Sequence, residues 1–264
     1  MNTLKILAIG DVVGQNGVAY IKKSLWKIRK KYGVDAVVAN GENSAEPNGI
    51  DKESAGVLFE SGVDVITTGN HVFRKANITR LLEDENKILR PLNFPSASPG
   101  HGDAIIDVNG YKMLVLNVLG AMYMEDANCP FESVERALVR NEGRYDFALL
   151  DIHAEATGEK KALAYYFANK INIIFGTHTH VQTNDAQILE GKCGYITDLG
   201  MCGPKDSILG VKKEAVIHRL RTKMLSKFDF AGGEIELNGA LFEINTDTWH
   251  VISCKTINIT GDVQ

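Results

Sequence analysis

The chain carries seven histidines, and two of them, His178 and His180, stand one threonine apart at the end of the apolar run Ile171 to Phe175. In an extended backbone, side chains at i and i+2 share a face, so this pair could present two imidazoles to one neighbour. Other apolar runs also end in groups able to bind metal. Asp11 follows LKILAIG, Glu42 and Asn43 follow AVVANG, Asn70 and His71 follow VITTG, and His153 follows FALLDI. Four of the seven histidines thus occur at run ends that also carry two carboxylates and two carboxamides. Such donors, with no thiolate among them, favour manganese, iron, cobalt or zinc over calcium or a structural zinc. They are too many for one tetrahedral ion and suit two ions sharing a carboxylate. Paired ions about 3.5 to 4 Å apart clamp the attacking and leaving oxygens of a displacement. Asp11 and Glu42 supply only two negative charges against the four or more of a divalent pair, so the surplus favours an anionic substrate.

The elements that must position these groups follow from the hydrophobic pattern. Leu4 to Ile9 reads as a buried strand, and Val18, Ile21, Leu25 and Ile28 then fall on one helix face. Strands at 35–40 and 64–69 alternate with helices at 51–62 and 74–85, a βαβαβ order that predicts a parallel sheet. In GDAIIDVNGYKMLVLN (103–118), two apolar stretches flank Asn109-Gly110, a strong hairpin signal. Strands at 146–152 and 171–176 bracket a helix at 157–170, and the tail from about 233 turns like an antiparallel meander. Ligands in open α/β sheets bind outside the carboxyl ends of the strands, where the donor groups fall. The fold class expected is α/β, one domain over 1–264, with two β layers inside helical layers.

A hydrophobic fraction of 44% with 23% charged residues is ordinary globular composition. The N-terminal apolar run is broken by Asp11, too short for a membrane span, and lacks a signal cleavage site. A cytoplasmic protein without membrane attachment is expected. The net charge of -4 argues against stable nucleic-acid binding. The locally basic stretch 211–228 reads as a helix whose Val216, Leu220 and Met224 rest on the body of the protein. Cys129, Cys193, Cys202 and Cys254 lack CxxC spacing and are expected to be reduced. His101, His218 and His250 are read as surface or structural, and Asp198 fits either a turn or a group approaching the site. No GxSxG elbow, P-loop or GxGxxG is present.

The ordered motifs GD (10–11), GEN (41–43), GNH (69–71), His153 and GTHTH (176–180) resemble those of calcineurin-like metallophosphoesterases. GENSAEPNGI (41–50), TTGNHVF (67–73), DIHAEATGEK (151–160), THTHVQTNDAQIL (177–189) and YITDLGMCGP (195–204) are similar to the bacterial YmdB-like branch. The resemblance implies a four-layer αββα sandwich. Two departures from the broad superfamily stand out. Asp11-Val12-Val13 replaces Asp-x-His, and Glu42 follows Gly41 where an Asp is usual. In the YmdB-like branch Asn43 is understood to compensate for the missing histidine. Carried over, one ion would take Asp11, Glu42, Asn43 and His180, and the other Glu42, Asn70, His153 and His178. The cofactors implied are two divalent or mixed-valence ions of iron, manganese or zinc.

His71 is outside that ligand set. The resemblance gives it contact with the phosphate and protonation of the leaving oxygen, a task that suits an imidazole near neutrality. The implied reaction is in-line hydrolysis of a small phosphodiester, a cyclic nucleotide, by metal-activated hydroxide. Residues 90–102 and 120–132 are the expected substrate rim. Alternatives on the same metal core are a phosphomonoesterase or protein phosphatase, or a nucleotide-sensing regulator with weak turnover. Homo-oligomerisation is left open.

Overall fold

The computed structural model describes residues 2–261 and 263. The first sheet starts with β1 (Thr3–Ile9), β2 (Asp11–Val12), β3 (Ala36–Asn40), β4 (Val65–Thr67) and β5 (Ile88–Leu89). The second contains β6 (Asp103–Val108), β7 (Tyr111–Leu119), β8 (Phe147–His153), β9 (Ile173–Thr177), β10 (Gln187–Leu189) and β11 (Cys193–Ile196). The chain then returns to the first sheet through β12 (Met201–Pro204), β13 (Ile235–Asn245) and β14 (Val251–Thr260). The helices are α1 (Gly14–Tyr32), α2 (Lys52–Glu60), α3 (Ile78–Asp84), α4 (Pro130–Arg140), α5 (Thr157–Phe167) and α6 (Lys213–Thr222).

Sheet one runs β2-β12-β13-β1-β3-β4-β5 with β14 also on β13, and sheet two runs β10-β11-β9-β8-β7-β6. Strands β1, β3, β4 and β5 are mutually parallel, as are β7, β8, β9 and β11. The expected hairpin joins β6 to β7, with Asn109 and Gly110 both at positive φ, the requirement of a type I′ turn.

The period-two alternation of β1 explains the layering. Leu4, Ile6 and Ala8 pack between the sheets with Val115, Leu149, Ile173 and Phe175. Leu7 and Ile9 face the other way, onto Ile21, Leu25 and Ile28 of α1 and Leu58 of α2. On the far side, Leu114, Leu116, Leu150 and Ile152 bury against Val134 and Ala137 of α4 and Leu163 and Phe167 of α5. Strands covered on both faces read as near-continuous apolar runs, which is why they were legible. The result is a helix-sheet-sheet-helix sandwich.

One expectation fails here. The basic stretch 211–228 does not rest on the body: α6 ends at Thr222 and buries none of its residues. Leu220 is 65% and Met224 63% exposed. The helix belongs to an excursion between β12 and β13, and its apolar spacing does not correspond to a buried face. Lys223 in the left-handed region stops it early. Among the described residues no helix is long and apolar enough to cross a membrane.

Candidate metal centre

The parallel strands of both sheets point their carboxyl ends at one place. Asp11 opens β2 just past β1, Glu42 and Asn43 follow β3, and Asn70 and His71 follow β4. From the second sheet, His153 closes β8 while His178 and His180 follow β9. Gly69 lets the β4 loop approach the cluster, because a Cβ there would meet His153 Nε2 at 2.3 Å and Glu42 Oε2 at 2.4 Å.

Glu42 sits at the centre. Its Oε1 lies 3.2 Å from His153 Nε2 and 3.3 Å from His71 Nδ1, and its Oε2 accepts from the His71 backbone N–H at 3.1 Å. Asn43 bridges outward, with Oδ1 at 2.8 Å from His71 Nδ1 and Nδ2 at 3.3 Å from His180 Nε2. Asp11 Oδ2 accepts from the His178 N–H at 3.0 Å, and its Oδ1 is 3.6 Å from His180 Nε2. The ligand atoms of Glu42, His153 and His178 lie within 4.8 Å of one another.

The extended-chain reading of His178 and His180 does not hold. Both residues have positive φ, so the segment after β9 is a turn rather than a strand. The turn separates the two rings. His178 Nδ1 is 3.1 Å from His153 Nε2, whereas His180 sits beside Asp11 and Asn43.

Each of these three imidazoles has one nitrogen held from outside the cluster. The Thr177 hydroxyl donates to Asp151 Oδ1 at 2.7 Å and accepts from His153 Nδ1 at 2.9 Å, which leaves Nε2 of His153 facing Glu42. His178 Nε2 faces Glu155 Oε2 at 3.3 Å, and His180 Nδ1 donates to the Leu209 carbonyl at 3.1 Å. Outer partners of this kind orient imidazoles that bind metals.

Burial opposes charge on both carboxylates, yet His180 holds Asp11 below its usual value, and His153 and His71 hold Glu42 well below. Conversely, burial opposes an imidazolium at His153, but Glu42 and Asp11 carry it up to about 9. Burial also disfavours charge on His180, and Asp11 overrides it upward. At His178, burial and the neighbouring His153 push the pKa down to about 4. Carboxylates buried this deeply draw positive charge to themselves. Asp11 Oδ1 and Asn70 Oδ1 are buried without a hydrogen-bond partner, the kind of oxygen a cation would satisfy. The donor set therefore fits a metal ion chemically and sterically.

All eight predicted groups come to this end of the sandwich. Sequence reasoning missed Asn40, Thr67, Asp151, Thr177 and Lys160 beneath them. Asp151 accepts from Thr67 Oγ1 at 2.5 Å and Asn40 Nδ2 at 3.2 Å, and burial pushes its carboxyl up to about 6. Lys160 is buried, 2.6 Å from Asp198 Oδ2, and donates to the Thr177 carbonyl at 2.8 Å. Asp198 also accepts from the Thr179 and Gly200 N–H groups, so this pair braces the turn carrying His178 and His180. A charged residue inside the apolar run FALLDI was the available signal for Asp151. Lys160, one of two adjacent lysines in a helical segment, carries no such signal.

The cleft over the cluster has a volume of about 480 Å³. Its rim is formed by Pro47, Asn48, Glu155, Leu209 and Phe228, not by residues 90–102 or 120–132. The expected segments bond elsewhere: the Arg90 N–H bonds the His101 carbonyl, the Leu92 N–H that of Asn117, and the Asn128 N–H that of Asn93.

A helix-flanked double sheet with carboxylates, carboxamides and histidines at its strand ends defines a phosphoric ester hydrolase of the metallophosphoesterase class. The chain belongs to the YmdB-like protein family, whose model matches residues 7–257. It is 37% identical over 259 residues to a 2',3'-cyclic-nucleotide 2'-phosphodiesterase of Bacillus subtilis, covering 98% of each chain. A phosphatase from Mycoplasma pneumoniae, known from its crystal structure, superposes with a TM-score of 0.93 at 32% identity over 99% of this chain and 95% of that one. The NAD nucleotidase of Haemophilus influenzae shares the fold at 15% identity, with a TM-score of 0.60 over 99% of this chain and 56% of that one.

Proposed function

We propose that this protein is a dinuclear metal-dependent phosphodiesterase acting on 2',3'-cyclic nucleotides. The observation that carries the metal reading is the pair of buried, unpartnered oxygens, Asp11 Oδ1 and Asn70 Oδ1, in a cluster organised around Glu42. The relative from Bacillus subtilis supports the substrate class. In this reading Asp11, Asn43 and His180 would hold one ion, Asn70, His153 and His178 would hold the other, and Glu42 would be shared. Iron, manganese or zinc suits these donors. Bound, the ions supply Lewis acidity for activating water and neutralising phosphoryl oxygens.

The chain's own groups do the rest. Asn43 Oδ1 accepts from His71 Nδ1 and thereby directs Nε2 of that ring as the proton-bearing or proton-accepting atom at the cleft. Water oxygen bonds to phosphorus as one P–O bond to the ribose breaks, and protonated His71 gives its Nε2 proton to the departing oxygen, so the ring opens to a phosphomonoester. Thr177, Glu155 and the Leu209 carbonyl keep the three ligand imidazoles from turning.

The test is elemental analysis of purified protein together with turnover of 2',3'-cyclic nucleotides, a nitrophenyl phosphodiester and phosphomonoesters. Two equivalents of transition metal and preferred hydrolysis of the cyclic diesters are expected. Preferred hydrolysis of monoesters would replace this reading with a phosphatase, and binding without turnover would replace it with a sensor.

A further inference from the structure

The cleft over the donor cluster has two chemically different sides. Its floor is Glu42, Asn43, His71, His178 and His180, all polar. Pro47, Leu209, Val211, Phe228 and Phe230 supply an apolar wall of the same cleft. A second cavity of about 630 Å³ adjoins it and shares Pro47, Phe228 and Phe230, with Glu46, Ser226, Lys227 and Asp229 along its edges. A phosphodiester bound to the floor shares its cleft with this wall.

The wall is anchored to the floor rather than draped over it. Val211 pairs with Phe230 through an antiparallel bridge, Ala231 N–H bonds the Gly210 carbonyl at 2.8 Å, and Lys212 N–H bonds that of Asp229 at 3.0 Å. Leu209, next to that ladder, accepts the His180 hydrogen bond. Phe230 packs over Gly14, where a Cβ would come within 2.6 Å of the ring. Phe228 remains 37% exposed, with the Arg219 guanidinium 5.1 Å from its ring centroid. An aromatic ring left half-open at the mouth of a polar site, held by backbone pairing, offers a flat apolar surface for another ring. Every nucleobase has such a face, and stacking on an aromatic side chain tolerates any base.

We propose that Phe228, with Pro47 and Phe230, forms the nucleobase subsite of this enzyme. The base lies against Phe228 while the cyclic phosphate meets the donor floor. Polar groups at 226–229 and Glu46 border the base edge. This inference rests on the cyclic-nucleotide reading above and adds where the nucleoside half is recognised.

The test compares adenosine 2',3'-cyclic phosphate with methyl riboside 2,3-cyclic phosphate, which has the same reacting group and no base. Phe228→Ala is expected to raise KM for the adenosine substrate about tenfold, as loss of one stacking contact predicts. The effect on kcat/KM should be several-fold smaller for the methyl riboside. Phe228→Tyr keeps the ring and should restore the adenosine KM, while Phe228→Leu, which keeps apolar bulk only, should not. Equal losses on both substrates, or rescue by leucine, would overturn the subsite. If the unmodified enzyme cleaves bis(nitrophenyl) phosphate but neither cyclic phosphate, the cyclic-nucleotide reading itself fails and the subsite falls with it. If it cleaves the methyl riboside as efficiently as the adenosine compound, only the subsite falls.

Discussion

The Thr177 hydroxyl stands 2.9 Å from Nδ1 of His153 and hands its own proton to Asp151 at 2.7 Å. A buried carboxylate thus sets which nitrogen of the imidazole is free, although it never touches the ring. Thr177→Val keeps the side-chain shape and removes the relay. Loss of a buried hydrogen bond costs about 1–3 kcal/mol of stability, and loss of an outer partner lowers metal affinity about 10- to 100-fold. Metal titration by calorimetry checks the second figure; an unchanged affinity would show that packing alone orients His153.

His178→Ala and Asn70→Ala are expected to abolish hydrolysis and lower bound metal while the far-ultraviolet circular dichroism stays that of the parent. Alanine at position 178 meets the same positive φ as histidine does, so the backbone gains no new strain. An unchanged metal content by elemental analysis would contradict the ligand assignment.

For His71→Ala the expected outcome is retained metal and lost turnover. A proton donor matters most when the departing oxygen is a poor leaving group, so the defect should shrink for a nitrophenyl ester and grow for an alkyl one. A constant loss along such a series would point to a binding role.

Lys160→Met leaves Asp198 buried beneath the turn of His178 and His180 without its partner. Breaking a buried ion pair from one side costs about 3–5 kcal/mol. Chemical denaturation measures it. A loss near 1 kcal/mol, as for a surface pair, would mean that Asp198 simply takes up a proton.

Thiol reactivity offers a check on packing. Burial pushes the thiols of Cys193 and Cys254 up to about 12 and that of Cys202 higher still, whereas Cys129 is exposed. Below pH 8 the native protein should show one fast thiol toward a disulfide reagent, and all four after denaturation. Two or more fast thiols would mean that β11, β12 or β14 opens readily.

The sandwich was legible because its strands are buried on both faces and its helices on one, and both conditions leave a period in the chain. The donor residues were legible for a related reason: they interrupt apolar runs at their ends. What escaped was whatever depends on distance through space. Asn40 meets Asp151 only once the two sheets stack, Thr177 meets His153 only once β8 and β9 pair, and no spacing links Lys160 to Asp198. The α6 stretch shows the opposite error, a helical period with no surface to bury it. The rim was misplaced because nothing in the sequence brings the 205–234 excursion to the donor motifs; it supplies Leu209, Val211, Phe228 and Phe230, beside Pro47, Asn48 and Glu155.

Pro204 and Ile235, the two ends of that excursion, are register partners in β12 and β13. A loop whose ends are already neighbours can lengthen, shorten or change composition at little entropic cost and without sliding any strand. Evolution can therefore retune what enters the cleft by rewriting thirty residues, while the chemistry underneath is inherited intact.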